Sequence, residues 1–148
     1  MNFLQQLQQD FGDITFVKGR ANSWSPQAKE IHYSRPISKY SLLHELGHAL
    51  EGHVTYKLDI QLLKLEADAW QKASEIAGRY GLEIPQKYIN DCMDTYKDWL
   101  LARSKCPDCG LVGLQSPKTL AYSCCNCPLH WSVPLETRCL VRRIRKNG

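Results

Sequence analysis

Residues 44 to 48 have the sequence His44-Glu45-Leu46-Gly47-His48, an HExxH motif inside a segment whose apolar spacing predicts a helix. Because an α-helix turns by about 100° per residue, imidazoles four positions apart lie on one face of the helix. His44 and His48 could therefore both reach one Zn²⁺, with Glu45 placed to deprotonate a water molecule on that ion. The alternative is a surface helix that carries two histidines by chance. The whole pattern favours a zinc hydrolase.

A catalytic zinc site takes three protein ligands and keeps the fourth position for water, so the motif needs one more ligand. Glu66 falls in the apolar stripe of a later predicted helix, where a carboxylate is costly unless a metal or a cation compensates it. His53 follows Gly52, which is expected to end the HExxH helix. If that helix continued, the His53 side chain would point about 140° away from the histidine pair. The pattern favours Glu66 and leaves His53 as the alternative ligand.

The pattern of apolar residues and of turn residues predicts an α+β fold. Strands are expected over residues 14 to 17 and 30 to 34, and helices over about 40 to 50, 57 to 80 and 85 to 104. A loop is expected over residues 19 to 26, and a hairpin is the simplest pairing of the two strands. The expected architecture is a small antiparallel sheet packed on the HExxH helix and two further helices. Residues 29 to 34, as an edge strand, could hold an extended peptide beside the metal.

Two motifs together carry a family resemblance. The HExxH motif is followed by Glu66-Ala67-Asp68-Ala69-Trp70-Gln71-Lys72-Ala73. This combination resembles the HExxH and ExxAxxxA pattern of gluzincins, and among them the compact ImmA/IrrE-type metallopeptidases. The resemblance covers residues 13 to about 80. It implies a small sheet above the active-site helix and a zinc site completed by Glu66. The family's Leu-Leu-Met-Pro-like continuation is absent after Ala73, so the substrate class does not follow.

The resemblance also implies a mechanism. Zn²⁺ lowers the pKa of its water towards about 7 and polarises the scissile carbonyl, and Glu45 accepts the proton and passes it to the leaving amine. The negative charge that develops on the carbonyl oxygen needs a stabilising group. Tyr40, His53 and Tyr56 are candidates for that contact or for a contact with substrate, and their spacing does not rank them.

The C-terminal part contains two CxxC pairs, a pattern typical of a zinc ribbon. The predicted ligands are Cys106, Cys109, Cys124 and Cys127. Four thiolates form a closed tetrahedral site, which supplies folding energy to a segment too short for a large core. Cys125 could replace Cys124, but the CxxC spacing favours Cys124, and Cys125 and Cys139 are then spare. Trp131 is expected to pack beside the second pair.

The basic residues are concentrated at the C-terminal end. The net charge is +4, and residues 103 to 148 contain eight Lys or Arg against two Asp or Glu. A ribbon with a basic tail, residues 138 to 146, suits nucleic acid or an acidic protein, and a ribbon that only docks on the preceding domain is the alternative. The order of the two modules also resembles the SprT/Spartan proteases, although their more distant third histidine has no match here, since the next histidine after His53 is His130.

These observations predict a cytoplasmic zinc metallopeptidase that cleaves a protein substrate, a regulator or a DNA-associated protein. We expect a peptidase domain over residues 1 to 104, a ribbon with a basic tail over 105 to 148, and two zinc ions per chain. No apolar run approaches the roughly 20 residues of a membrane span, and the first residues lack the features of a signal peptide. The alternative function is a non-catalytic zinc-ribbon module that binds nucleic acid or protein beside a degenerate protease domain.

Overall fold

The structure, a computed structural model, describes residues 1 to 134 and the backbone of residues 144 to 146. Within these ranges the fold is α+β, as predicted. The helices are α1 (Phe3–Asp10), α2 (Lys39–Leu50), α3 (Asp59–Arg79) and α4 (Gln86–Ser104). The strands are β1 (Thr15–Lys18), β2 (Ser23–Ser25), β3 (Glu30–Tyr33), β4 (Leu114–Gln115), β5 (Tyr122–Ser123), β6 (His130–Ser132) and β7 (Ile144–Lys146). Among the described helices, none has the length and apolar character needed to cross a membrane.

The chain forms two compact units. Unit 1 contains Met1–Thr55 and Leu65–Ile89, and unit 2 contains Tyr56–Lys64 and Asn90–Gly148. The division falls inside two helices, after Lys64 in α3 and after Ile89 in α4. Each of these helices therefore contributes residues to both units. The predicted domains, 1 to 104 and 105 to 148, stay a prediction.

The sheet of unit 1 is mixed, so the predicted antiparallel hairpin is wrong. Its strand order is β1-β3-β2, with β3 parallel to β1 and antiparallel to β2. Strand β2 lies in the stretch predicted as a loop. The chain passes from β1 to β2 on the far side of the sheet and returns as β3, which lies between them. Strand β3 is therefore central rather than an edge strand. The two edge strands are β1 and β2, and of these β2, like β3, contacts α2.

Helix α2 begins and ends where its sequence directs. The Ser38 hydroxyl caps the first turn by accepting a hydrogen bond from the backbone N–H of Ser41. At the other end, Gly52 has a φ of 69°, a left-handed conformation that glycine adopts without the Cβ clash. The N–H of Gly52 bonds to the carbonyl of Ala49 and the N–H of His53 to that of His48, which is a Schellman motif. The chain therefore reverses sharply after the HExxH motif.

The sheet of unit 2 has the strand order β4-β5-β6-β7 and is antiparallel throughout. Trp131 is fully buried, as expected for a residue packed beside the second CxxC pair, and its ring stacks on that of Tyr122 at 5.6 Å. Strand β7 coincides with the end of the predicted basic tail. Residues 138 to 143, including Cys139, lie outside the described residues.

Candidate metal centres

The structure brings His44, His48 and Glu66 together, although Glu66 comes from a different helix. Nε2 of His44 lies 2.8 Å from Oε2 of Glu66, and Nε2 of His48 lies 3.3 Å from Oε1. The two Nε2 atoms are 3.1 Å apart. At the corners of a tetrahedron with bonds of about 2.0–2.1 Å, ligand atoms lie about 3.3–3.4 Å apart. The three side chains therefore fit one metal ion, and they form a candidate metal centre.

A close approach of two helices places Glu66 opposite the histidines. A Cβ built on Gly47 of α2 would lie only 2.3 Å from the carbonyl oxygen of Ala69 in α3. Ala69 and Ala73 are fully buried, so small residues line this face of α3. A side chain at position 47 would push the backbones apart. The glycine inside the HExxH motif therefore sets the distance between the histidines and Glu66.

The Glu66 carboxylate is buried, with 5% of the residue exposed. Burial by itself would raise its pKa, but hydrogen bonds to His44 and His48 and their charges outweigh it and hold the pKa at about 2. Conversely, burial lowers the pKa of His48, yet the hydrogen bond and charge of Glu66, with a further contribution from Glu45, raise it above its usual 6.5. Glu66 is thus ionised at neutral pH and faces the two imidazoles, an arrangement that suits a cation site.

Glu45, the predicted general base, is buried at 9% exposure on the same helix as the histidines. Its charge acts on the His48 ring. It does not belong to the group of converging ligand atoms, which consists of His44, His48 and Glu66. This arrangement suits a group that acts beside a metal rather than on it.

His53, the alternative ligand, lies beside the cluster and outside it. Its Nδ1 is 2.9 Å from Nδ1 of His48, the ring nitrogen that points away from Glu66. Burial and the neighbouring His48 charge lower the His53 pKa. The carbonyl of His53 accepts a hydrogen bond from the indole N–H of Trp24 at 3.0 Å. The structure therefore groups Glu66, rather than His53, with the two histidines.

The two tyrosines predicted as substrate contacts have other contacts. The Tyr40 hydroxyl donates to the carbonyl of Glu83, and its ring packs edge-on against Tyr88. Tyr56 belongs to unit 2. Burial and the charge of Asp59 raise its pKa, and the opposing charge of Arg103 does not cancel this effect. No contact described for Tyr40 reaches the candidate ligands, and its role stays a prediction, as does that of Tyr56.

Trp70 supports the cluster in a way that its sequence pattern had not predicted. Its ring stacks on His44, with centroids 4.1 Å apart and planes inclined by 26°. Within the described part of the chain, Nδ1 of His44 is buried and has no hydrogen-bond partner. The ring of His44 is thus held by stacking. Trp70 lies four residues after Glu66, so helical periodicity places both on one face of α3, which is the signal that could have found it.

The second candidate metal centre groups the four predicted cysteines, Cys106, Cys109, Cys124 and Cys127. Sγ of Cys106 lies 3.5 Å from Sγ of Cys127, and Sγ of Cys109 lies 3.4 Å from Sγ of Cys124. Tetrahedral sulfur ligands at about 2.3 Å from zinc would be about 3.8 Å apart. Cys125 is exposed and outside the group. The four thiols therefore also fit one metal ion.

Backbone amides prepare the thiols for a metal. The N–H groups of Cys127 and Asn126 point at Sγ of Cys124 and lower its pKa to about 6. A bond from the backbone N–H of Leu129 favours the Cys127 thiolate, but the neighbouring thiols dominate and raise that pKa to about 12. Four thiolates cannot coexist at such distances without a cation, because like charges repel.

A buried polar network in unit 2 was not predicted. The Asp59 carboxylate accepts hydrogen bonds from Arg103 Nε at 2.9 Å and from the Tyr122 hydroxyl at 2.7 Å. Arg103 is 2% exposed, and its carbonyl accepts the indole N–H of Trp131. The network joins α3, α4 and the cysteine-bearing sheet within unit 2. The three residues are far apart in sequence, so no local pattern indicates their contact.

The ligand types and distances thus support two candidate metal centres, one with nitrogen and oxygen ligands and one with sulfur ligands. They do not identify the metal. The chain matches no protein-family model, no curated protein and no solved structure, so the family resemblance drawn from the motifs stays a prediction.

Proposed function

We propose that this protein is a zinc metallopeptidase in which His44, His48 and Glu66 hold the catalytic ion and Glu45 is the general base. The observation that carries the proposal is the buried Glu66 carboxylate, which contacts Nε2 of both HExxH histidines. A set of two histidines and one glutamate is the donor set of many zinc peptidases, and it leaves a coordination position for water.

When bound, zinc supplies a Lewis acid that makes water acidic near neutral pH and polarises a carbonyl group. The side chains of the protein bind the ion and move the proton. Glu45 follows His44 directly in α2, and its charge contributes to the raised pKa of His48. We assign to its carboxylate the role of taking a proton from water and returning it to a leaving amine.

The free edge of β2 is the place where a protein substrate could add to unit 1. An extended peptide gains backbone hydrogen bonds by extending a sheet, and β2 is an edge strand that contacts α2. The expected peptide-holding strand, residues 29 to 34, is β3, and its edges are already used by β1 and β2. We therefore assign substrate binding to β2.

We assign a structural zinc ion to the four cysteines. A closed sulfur site has no position for water, and the small core around Cys106, Tyr122 and Trp131 gains stability from a metal cross-link. We also propose that the basic C-terminal residues bind nucleic acid or an acidic protein and so recruit the peptidase to its target. This binding is separate from catalysis.

Hydrolysis by the Glu45→Gln variant tests the mechanism. A fluorescently labelled, unfolded casein serves as the probe. We expect the zinc-loaded natural chain to cleave it and Glu45→Gln to keep both zinc ions while losing activity. The matched control is Glu51→Gln, the same chemical change at an exposed position at the end of the same helix, which should retain activity. Cleavage that survives Glu45→Gln would overturn the assignment of the base.

Metal analysis tests the site independently of activity. The natural chain should bind two zinc ions, and Glu66→Ala should bind one. A natural chain that holds a single ion, retained by its cysteines, would contradict the enzyme proposal and favour a non-catalytic binding module.

A further inference from the structure

His53 is the one histidine next to the candidate ligands that the proposed mechanism leaves unused. On a continued α-helix it would point away from His48. The Schellman motif at Gly52 reverses the chain, and the His53 N–H bonds to the His48 carbonyl at 3.1 Å. As a result the two rings meet, with centroids 5.1 Å apart and Nδ1 atoms 2.9 Å apart.

A histidine that binds a metal through Nε2 must carry its proton on Nδ1, and the partner of that proton fixes the orientation of the ring. In His48, Nε2 faces Glu66 and His44, while Nδ1 faces His53. The geometry therefore lets Nδ1–H of His48 donate to Nδ1 of His53. His53 would then carry its own proton on Nε2.

His53 is itself held in place. Its N–H is bonded within the Schellman motif, and its carbonyl accepts the indole N–H of Trp24, a residue of the edge strand β2. Backbone anchoring on both sides limits the motion of the ring. By contrast, Nδ1 of His44 has no partner in the described part of the chain, and that ring is held by stacking on Trp70. The two histidine ligands are thus oriented by different means.

We propose that His53 is a positioning residue, which fixes the tautomer and ring orientation of His48 so that Nε2 is presented to the metal. This inference rests on the proposed zinc site and adds to it a residue that is not a ligand. Removing the hydrogen-bond partner of a ligand histidine typically lowers metal affinity about 10- to 100-fold. We expect a loss of that size for His53→Ala.

The test is the zinc affinity of the full chain, measured by competition with a chromophoric chelator. Cobalt substitution separates the two sites, because thiolate ligands give intense charge-transfer bands and the nitrogen and oxygen site gives only weak visible bands. His53→Ala should weaken the latter site 10- to 100-fold and leave the sulfur site unchanged. In His53→Asn the amide oxygen can take the place of Nδ1 as acceptor, so affinity should return to within a few-fold of the natural value.

The matched control is His32→Ala, which removes another half-buried histidine of unit 1, one whose ring is bonded to Glu30. Its zinc affinity should be unchanged. An equal affinity of His53→Ala and the natural chain would overturn the positioning role. Equal losses in His53→Ala and His53→Asn would also overturn it, because a general effect on folding would then explain both.

A measurement on the unmodified, zinc-loaded chain avoids any effect of substitution. Nitrogen NMR should show the His48 proton on Nδ1 and a coupling across the hydrogen bond to Nδ1 of His53. Absence of that coupling would refute the inference. If affinity depends on His53 but no peptide is cleaved, the positioning role stands and the peptidase proposal fails. If the natural chain binds no metal at this cluster, both fail.

Discussion

The two candidate metal centres are built in opposite ways. The sulfur site draws its ligands from two short CxxC loops near the surface, where Cys109 is exposed. The nitrogen and oxygen site draws its ligands from two long helices, and Glu66 is buried against a packed core. We propose that the first site needs a metal to hold its segment together. We propose that packing of α2 on α3 forms the second site without help from a metal. Loss of metal should therefore unfold the cysteine-bearing segment, whereas it should leave the helices around His44, His48 and Glu66 folded.

The largest expected effect is loss of the sulfur site. Structural zinc contributes about 10–16 kcal/mol to folding of small zinc modules, so Cys109→Ser should unfold the cysteine-bearing segment. The Trp131 indole N–H, which donates to the Arg103 carbonyl, provides a resolved NMR signal for the folded form. That signal should disappear.

Cys125→Ser is the matched control for this variant, since Cys125 is exposed and stands outside the ligand group. The Trp131 signal should persist in it. Persistence of the signal in Cys109→Ser as well would show that unit 2 folds without its metal, and the contrast between the two centres would fail.

Asp59→Asn tests whether unit 2 depends on its buried network in addition to a metal. The substitution leaves Arg103 buried without its countercharge, and breaking such a pair typically costs about 3–5 kcal/mol. Urea denaturation with zinc present should show the loss. The control is Asp94→Asn, whose ion pair with Lys97 is more than half exposed and is worth less than about 1 kcal/mol. Similar losses in the two variants would contradict the role of burial.

Gly47→Ala tests whether helix packing forms the nitrogen and oxygen site. Alanine favours a helix, but a Cβ at position 47 collides with Ala69, so we expect a cost of about 1–3 kcal/mol and weaker zinc binding at that site. Gly78→Ala is the control on α3, where a Cβ meets nothing within 4 Å. It should stabilise the protein by about 0.5–1 kcal/mol. The diagnostic result is a change in the free energy of unfolding of opposite sign in the two variants. Stabilisation by both variants would exclude the close approach of Gly47 to Ala69.

The smallest effect concerns pH in the metal-free chain. His48 should titrate above 6.5, because Glu66 outweighs the effect of burial. Its raised pKa contributes stability that is complete below pH 6.5 and is lost as pH rises through the folded-state pKa. The slope is at most about 1.4 kcal/mol per pH unit for one proton. Zinc binding has the opposite dependence, since it requires neutral imidazoles and strengthens as pH rises.

An NMR titration of the His48 ring checks this prediction. In Glu66→Gln the main group that raises the pKa is gone and burial prevails, so the midpoint should fall. Addition of zinc to the natural chain should suppress the titration at neutral pH. A midpoint below 6.5 in the natural metal-free chain would show that Glu66 does not act on His48.

The helices and ligand groups were largely predictable, whereas the strand pairing was not. Periodic apolar residues and the glycines after α2 and α3 set the helix bounds to within a few residues, and the burial of Glu66 followed from its place in an apolar stripe. Strand β2 was missed because Ser23-Trp24-Ser25 sits among loop-forming residues. The contact between His53 and His48 was missed because it depends on one left-handed glycine after the helix.

The ligand types of both candidate centres can be read from the sequence, because the spacing of the two histidines and of the four cysteines reflects the local geometry of a helix and of a CxxC loop. The distant groups that meet these residues depend on tertiary packing. Glu66 reaches the histidines because Gly47 admits Ala69, and Asp59 reaches Arg103 and Tyr122 through packing of separate elements. Local periodicity fixes the direction of a side chain, but long-range packing fixes its partner.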